Sequence, residues 1–351
     1  MHRRQFLSAA LAWPAASISG IIQTAPGAST PLGLVALGPG ALRFLVYLDA
    51  VANVSAIEAI EQRPPEGRAY AYSLGERIAG LPIIGPGGAG RLPDLEALAS
   101  VGADLAVAVT LDEQQVRMLR ERVGIRILSL DYGATGRLEP AVFSDSLRQL
   151  AQVLGYETRA ETLLDAMESS IAELAQRIGN QLPVTAYLGG VSLKGQQGLT
   201  STQAGHPSLD WAGAENLAER TGRTGHLFLD LEQLLAWDPP RLFIDAAGVP
   251  AVLSEQAANP GPFRALRAVR EGQVYATLPY NAYNTNVEHA LINAWFIASI
   301  LYPDALADVT PVAKADEIHT LFLGQPVYAE LARDGLGFMR VDLLNGRGRP
   351  W

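Results

Sequence analysis

The chain has 351 residues, of which 48% are hydrophobic and 18% charged, and its formal net charge is −9. At about 150 residues per domain, this length suits roughly two domains with well-buried cores. The acidic balance argues against a general nucleic-acid-binding protein, which needs a basic face, and we expect no nucleic-acid partner. Cysteine is absent, which excludes disulfides, zinc–cysteine sites, iron–sulfur clusters and a cysteine nucleophile.

Residues 1–28 have the three parts of an export signal. Two arginines, Arg3 and Arg4, precede an apolar run from Phe6 to Ile22, and small residues close the segment. The run is too short and too weakly apolar for a membrane span, which needs about 20 residues. The two arginines, followed by x-Phe-Leu, resemble the twin-arginine consensus. We therefore expect export, with cleavage of the signal near residues 25–30.

After the signal, short apolar runs alternate with helical patterns. The runs that predict buried strands are residues 34–37, 105–109, 125–130 and 184–188. Strands that alternate with helices at this spacing predict parallel sheets with helices on their faces. We predict an N-terminal binding lobe over residues 31–140 and a C-terminal binding lobe over residues 183–332. Residues 333–351 are expected to form a C-terminal tail.

The segment between the lobes, residues 141–181, has apolar residues at helical spacing. As one helix it would be about 55–60 Å long, at about 1.5 Å per residue, and would link the two lobes. The alternative is two helices broken near Gly155 and Tyr156. The predicted fold class is α/β: two lobes with mainly parallel sheets and flanking helices, joined by one long α-helix.

The two halves of the chain echo each other. The order helix, strand, helix, strand and then a tyrosine occurs once before Tyr132 and again before Tyr280. Any one piece of this pattern could arise by chance, but the shared order is harder to explain in that way. It favours two lobes of one architecture.

Several motifs are specific enough to suggest a family. They are residues 279–288 (PYNAYNTNVE), 293–298 (NAWFIA), 85–88 (GPGG) with 92–96 (LPDLE), and 211–218 (WAGAENLA). With the order signal, lobe, helix, lobe, they resemble the helix-linked class of periplasmic substrate-binding proteins of ABC importers, over nearly all of residues 31–332. This family captures ferric siderophores, haem, cobalamin and, in one branch, molybdate or tungstate. The resemblance implies a periplasmic protein that captures a ligand between lobes and delivers it to an inner-membrane permease. In many members the last motif reads aromatic-x-Gly-Gly-x-Asn, and in the segment Ala214-Glu215 of this chain the second glycine is replaced by Ala214.

In open α/β sheets, ligands sit beyond the carboxyl ends of strands, and the loop over residues 279–286 is the richest candidate there. Its predicted ligand contacts are Tyr280, Asn281, Tyr283, Asn284 and Asn286. Asn284 or Asn286 would also cap the following helix, whose free N–H groups would then favour a bound anion. The alternative is that the asparagines only cap and the tyrosines only pack.

Three further loops and one aromatic segment supply other candidates. They are Gly87 and Gly88 in the glycine-rich loop 85–91, Thr200 and Ser201 in the loop 189–205, Arg43 after the turn at 38–40, and Tyr72. A plain turn, a polar surface loop or a solvated cation is the alternative for each. The resemblance also implies exposed acids that pair with permease arginines, and Glu58 or Glu61 is the expected one in the N-terminal lobe.

Metal and enzyme chemistry have little support. The histidines are scattered, and neither His-x-x-x-His nor His-Glu-x-x-His occurs, so we expect no metal site and no cofactor. Residues 190–195 have one residue too many for a nucleophile elbow. We predict a monomeric, non-enzymatic binding protein for a ferric chelate, a cobalamin-like complex or a related metal complex. The alternatives are a molybdate or tungstate oxyanion, an exported enzyme on the same fold, and a sensor without a permease.

Overall fold

Two separate sheets organise the computed structural model, which describes residues 32–351. The strands of the first sheet are β1 (Leu34–Leu37), β2 (Val54–Ala56), β3 (Leu105–Val109) and β4 (Arg126–Leu130). They are all parallel and lie in the order β2-β1-β3-β4. Every residue of β1 and β3 is buried, as expected for strands covered on both faces. The predicted export signal lies outside the described residues.

Helices connect these strands. They are α1 (Ala41–Tyr47), α2 (Ala69–Leu74), α3 (Leu95–Val101), α4 (Glu113–Val123) and α5 (Pro140–Leu154). The start of α4 is set by a capping box, in which Asp112 accepts from the Gln115 amide and the Gln115 side chain accepts from the Asp112 amide. Gly124, in the left-handed conformation, ends the same helix.

The predicted single linker helix is wrong, because the segment forms two helices. The second is α6 (Glu157–Ile178), whose 22 residues span about 33 Å. Gly155 has a φ of 77° and ends α5, and the amides of Gly155 and Tyr156 both donate to the Ala151 carbonyl. This left-handed turn redirects the chain, and α5 packs on β4 and on α6. The alternative break at Gly155 and Tyr156 is the one that the structure shows.

The second sheet has six strands. They are β5 (Val184–Gly189), β7 (Ala214–Asn216), β9 (Leu242–Asp245), β10 (Val274–Thr277), β11 (Met339–Asp342) and β12 (Arg347–Pro350). Their order is β12-β11-β10-β9-β5-β7, and the pairings are parallel except for β10 with β11 and β11 with β12, which are antiparallel. A separate antiparallel ribbon consists of β6 (Ser201–Ala204) and β8 (Gly225–Phe228).

The prediction of a C-terminal tail over residues 333–351 is wrong, since this segment contributes β11 and β12. β11 pairs with β10 through Tyr275 and Arg340. Aromatic packing holds it there: the rings of Phe338 and Phe296 are stacked 4.0 Å apart. The other predicted lobe boundaries stay predictions.

Eight helices accompany the second sheet. They are α7 (Pro207–Trp211), α8 (Leu231–Trp237), α9 (Val249–Ala258), α10 (Pro260–Ala265), α11 (Arg267–Arg270), α12 (Val287–Leu301), α13 (Pro311–Leu323) and α14 (Tyr328–Arg333). Nearly every residue of α12 is buried, and this helix packs against α6, α7 and α13. No helix within residues 32–351 is both long enough and apolar enough to cross a membrane.

Candidate ligand-binding site

A cleft of about 1390 Å³ lies where strand ends from both sheets meet. Six segments that line it follow parallel strands: Pro39 after β1, residues 110–112 after β3, residues 131 and 133–136 after β4, residues 192–196 after β5, Ala247 after β9, and residues 281–284 after β10. This is the edge where open α/β sheets bind their ligands. The cleft is therefore the candidate site.

Arg43, on α1, holds the loop that follows β10. Its guanidinium is fully buried and donates to the carbonyls of Thr285 (2.7 Å) and Ala282 (2.9 Å) and to Oδ1 of Asn286 (2.8 Å). Hydrogen bonds from a charged donor are stronger than neutral ones, at about 1.5–3 kcal/mol each. Arg43 is a positioning residue, because no part of its side chain is exposed in the cleft.

The loop presents Tyr283 and Asn284 to the cleft through an uncommon backbone conformation. Their φ angles are 52° and 75°, in the left-handed region that costs most non-glycine residues about 1–2 kcal/mol. Asn284 also donates from Nδ2 to the Pro39 carbonyl (3.1 Å). The clamp by Arg43 offsets the backbone strain and fixes the direction of both side chains.

The Tyr283 hydroxyl links the loop to the first sheet's side of the cleft. It donates to Oε2 of Glu58 (3.1 Å) and accepts from the Gly88 amide (2.9 Å). Burial raises the pKa of Glu58 to about 7, against the lowering effect of hydrogen bonds from the Gly38 amide and Tyr283. Burial, with the negative charge of Glu58, also raises the pKa of Tyr283. The phenol is therefore a hydrogen-bond donor rather than an anionic ligand.

Asn281 joins loops from the two sheets. Its Nδ2 donates to the carbonyl of Gly136 (3.2 Å), after β4, and to that of Ser192 (3.1 Å), after β5. Ser192 lines the cleft and is only 6% exposed, yet its hydroxyl finds no hydrogen-bond partner among the described residues. A buried hydroxyl costs free energy unless it is paired, so this one keeps unused hydrogen-bonding capacity beside the cleft.

Four carboxylates line the same cleft. They belong to Glu66, Asp112, Asp131 and Asp334, and the lining holds one ammonium group, that of Lys194. None of the ion pairs among residues 32–351 includes any of the four acids. The lining therefore has a net negative charge.

The structure places four of the eleven predicted contact residues on the cleft: Gly88, Asn281, Tyr283 and Asn284. Tyr280 is instead buried, where its hydroxyl accepts from the Leu138 amide (2.9 Å) and its ring packs against His206. Asn286 is buried as well and donates to the carbonyls of Gly67 and Pro279. Both residues hold the loop from behind.

The remaining candidates also lie off the lining. Gly87 packs between Glu58 and Tyr283, where an added Cβ would come within 3.0 Å of an oxygen of each. The Ser201 hydroxyl donates to the Val191 carbonyl (2.7 Å), and Thr200, next to it, does not line the cleft. Tyr72 reaches the site indirectly, because its hydroxyl donates to the lining carboxylate of Asp334 (2.7 Å).

Two further predictions are wrong. Asn286 stands at the N-cap of α12 but makes no side-chain capping hydrogen bond, and it is fully buried, so this helix end does not face the cleft. Glu58 and Glu61 are not exposed acids: they are 2% and 6% exposed. Glu61 pairs with Arg68 (2.9 Å) and accepts from Tyr70. The sequence could not reveal the enclosure of Glu58 and Asn286, because their partners Tyr283 and Gly67 are more than 200 residues away, whereas the partners of Glu61 are local.

Sequence reasoning missed the loops after β3, β4 and β9. The same rule on strand ends applied to them, since β3 and β4 were themselves predicted. Their lining side chains, above all Asp112 and Asp131, look like ordinary surface acids in the sequence. Glu66, Ser192 and Asp334 gave no signal at all beyond their loop positions.

Four histidines lie within residues 32–351, and none of these four lines the cleft. Within the described residues no group of three or more potential ligands is close enough to hold a metal ion. His289 and His319, far apart in sequence, do meet in the core with 3.2 Å between their Nε2 atoms. Burial lowers the pKa of His289 to about 3, so this pair is neutral.

The fold defines a class, the two-lobed α/β binding proteins, and the candidate site lies at the carboxyl edges of the two sheets. The sequence profile of the family described as periplasmic binding protein matches residues 34–280, and the chain belongs to that family. This family consists of transport binding proteins that take up small molecules and work with ABC permeases. No curated protein sequence matches the chain at a significant level.

Solved structures share the fold. One is the molybdate-binding protein MolA of Haemophilus influenzae bound to molybdate, with TM-score 0.63 and 19% identity over 84% of this chain and 94% of that one. Another is CeuE of Helicobacter pylori with Ni(II) bound, with TM-score 0.60 and 18% identity over 87% and 95%. A third is the periplasmic haem-binding protein HutB of Vibrio cholerae, with TM-score 0.56 and 17% identity over 77% and 98%. At these identities the likeness shows the fold and not the ligand.

Proposed function

We propose that the protein captures an iron chelate or a related metal complex in this cleft and delivers it to an ABC permease. The cleft volume carries the proposal. At about 1390 Å³ it exceeds the roughly 300–1,000 Å³ of ordinary small-molecule pockets and suits a bulky complex. Its polar lining supplies hydrogen bonds for the periphery of such a complex, through Ser192 and Asn284.

A molybdate-type oxyanion is the alternative ligand, and the geometry favours it less. A small tetrahedral anion needs a tight set of N–H donors or cations. The N-terminus of α12 is closed off by the buried side chain of Asn286, and Arg43 is committed to the loop. The carboxylates of the lining would repel the anion.

We also propose that the chain is exported through the twin-arginine route and acts as a monomer in the periplasm. The support is the sequence pattern of residues 1–28, together with the periplasmic character of the family. Mass spectrometry of the periplasmic fraction is expected to find a chain that begins near residues 25–30. Replacing Arg3 and Arg4 with lysine should leave the precursor in the cytoplasm, and normal export of that variant would contradict the route.

Calorimetric titration of the purified protein with a ferric trihydroxamate chelate, cobalamin and molybdate tests the ligand. We expect saturable one-to-one binding of a metal complex and no product by mass spectrometry. Saturable binding of molybdate alone would contradict the proposal in favour of the oxyanion. Turnover of any of these compounds would instead favour the exported enzyme.

A matched pair of serine variants connects binding to the cleft. Ser192→Ala removes a hydroxyl that has no partner within the described structure, so we expect an unchanged melting temperature and an affinity about threefold to tenfold lower. Ser254→Ala is the control, because that hydroxyl bonds to the Pro250 carbonyl on an exposed face of α9. Equal affinities for both variants would remove Ser192 from the site.

A further inference from the structure

The charge of the cleft bears on which metal complexes it accepts. Its lining combines the carboxylates of Glu66, Asp112, Asp131 and Asp334 with the single ammonium group of Lys194. Arg91 lies against Gly88 and adds at most one more positive charge at this rim. The balance stays negative with Arg91 included.

The hydrogen bonds of these acids leave their charge in place. Asp112 accepts from the Gln115 amide, Asp131 from the amides of Tyr132 and Gly133, and Asp334 from the Tyr72 hydroxyl. All of these donors are neutral, and no ion pair of the described chain involves any of the four acids. A concave site lined by one sign of charge concentrates ligands of the opposite sign and disfavours ligands of the same sign.

The remaining lining is consistent with a hydrogen-bonded complex rather than a coordinated metal. The unpaired Ser192 hydroxyl points to a ligand that carries polar atoms on its outside. No set of three potential metal ligands converges in the described chain, so the charge acts on the whole complex. We propose that the cleft selects metal complexes of net positive or zero charge and discriminates against anionic ones. This inference rests on the proposed function.

One series of ligands isolates the effect of charge. Ferrioxamine B carries a free ammonium group and is singly positive, its N-acetyl derivative is neutral, and its N-succinyl derivative is singly negative, while the ferric trihydroxamate core is the same in all three. We expect the affinity to fall in that order, by about threefold to tenfold at each step, since the acids are solvent-exposed and their field is partly screened. Raising the ionic strength should narrow the differences.

Variants of the lining test the source of the preference. Asp112→Asn keeps a good N-cap for α4 and Glu66→Gln keeps the side-chain length, so both variants should fold normally. Each should reduce the differences in affinity among the three ferric complexes. Asp165→Asn, an exposed acid on α6, is the control and should leave the series unchanged.

The outcomes separate the two proposals. Binding of all three complexes with equal or reversed affinity would overturn the charge selection and leave the proposed function standing. Failure of all three to bind would overturn the charge selection of ferric complexes, and failure of cobalamin as well would overturn the proposed function. The predicted order, lost in the two lining variants and kept in the control, would support both.

Discussion

Tyr283 connects the loop after β10 to the first sheet's side of the cleft. Its hydroxyl bonds to Glu58 and to the Gly88 amide, and its backbone is left-handed. We expect Tyr283→Phe to lower ligand affinity by about tenfold and the free energy of unfolding by about 1 kcal/mol, because two partly buried hydrogen bonds are lost. Isothermal titration and urea unfolding measure the two effects.

Tyr187→Phe is the matched control for that variant. The Tyr187 hydroxyl is buried and donates to the Leu199 carbonyl (2.9 Å), but this residue does not line the cleft. It should lose similar stability and keep its affinity. If both variants bound equally well, Tyr283 would be a packing residue only.

At this scale the sequence predicts which residue types form the site, but not which of their side chains point into the cleft. Asn281, Asn284 and Asn286 have the same side chain within six residues, yet two line the cleft and one is enclosed. What separates them is the pair of left-handed residues at 283 and 284 and the reach of Arg43 from α1. Both are properties of the folded chain, since Arg43 lies about 240 residues away in sequence.

At the scale of elements, the break between α5 and α6 depends on Gly155. Its φ of 77° suits glycine, while an alanine there meets no steric contact but is strained in the backbone. We expect Gly155→Ala to lower the free energy of unfolding by about 1 kcal/mol, as measured by urea unfolding. Gly261→Ala, in α10, is the control, because that glycine has no left-handed φ and should tolerate alanine or gain stability. Equal stabilities of the two variants would contradict the role of the turn.

Elements with continuous apolar runs were predictable, and polar ones were not. The predicted strand at residues 105–109 matches β3, because a strand buried on both faces must be apolar throughout. The echo that ends in Tyr132 and Tyr280 also corresponds to equivalent strands, β4 and β10. By contrast, β12 reads Arg-Gly-Arg-Pro and is fully exposed at a sheet edge, so its sequence carries no strand signal.

For the whole molecule, buried titratable groups predict a stability maximum at mildly acidic pH. Burial raises the pKa of Glu58 and of Asp245 to about 7, so the native state holds protons that the unfolded chain releases. Stability is thus lost as the pH rises from about 4 through about 7. Burial lowers the pKa of His206 and of His289 to about 3, so these residues stay neutral in the native state while the unfolded chain takes up protons. Their contribution to the free energy of unfolding is therefore lost as the pH falls below about 6.5.

Melting temperatures measured across the pH range check this balance. We expect a maximum between about pH 5 and 6.5 and a decline toward pH 8. Glu58→Gln, which keeps an acceptor for the Gly38 amide but cannot ionise, should flatten the decline on the alkaline side. A melting temperature that rises from pH 6 to 8 would show that the pKa values of Glu58 and Asp245 are not raised as described.

The left-handed pair at the mouth of the cleft has a practical consequence for retargeting the protein in the laboratory. At position 284 the backbone favours asparagine, aspartate or glycine, so a library there should be restricted to these three. Broader randomisation belongs at Leu193, Gln196 and Thr135, which face the same space and have no positive φ. A biosensor built in this way would bind a different ligand, while Arg43 would still hold the loop in place.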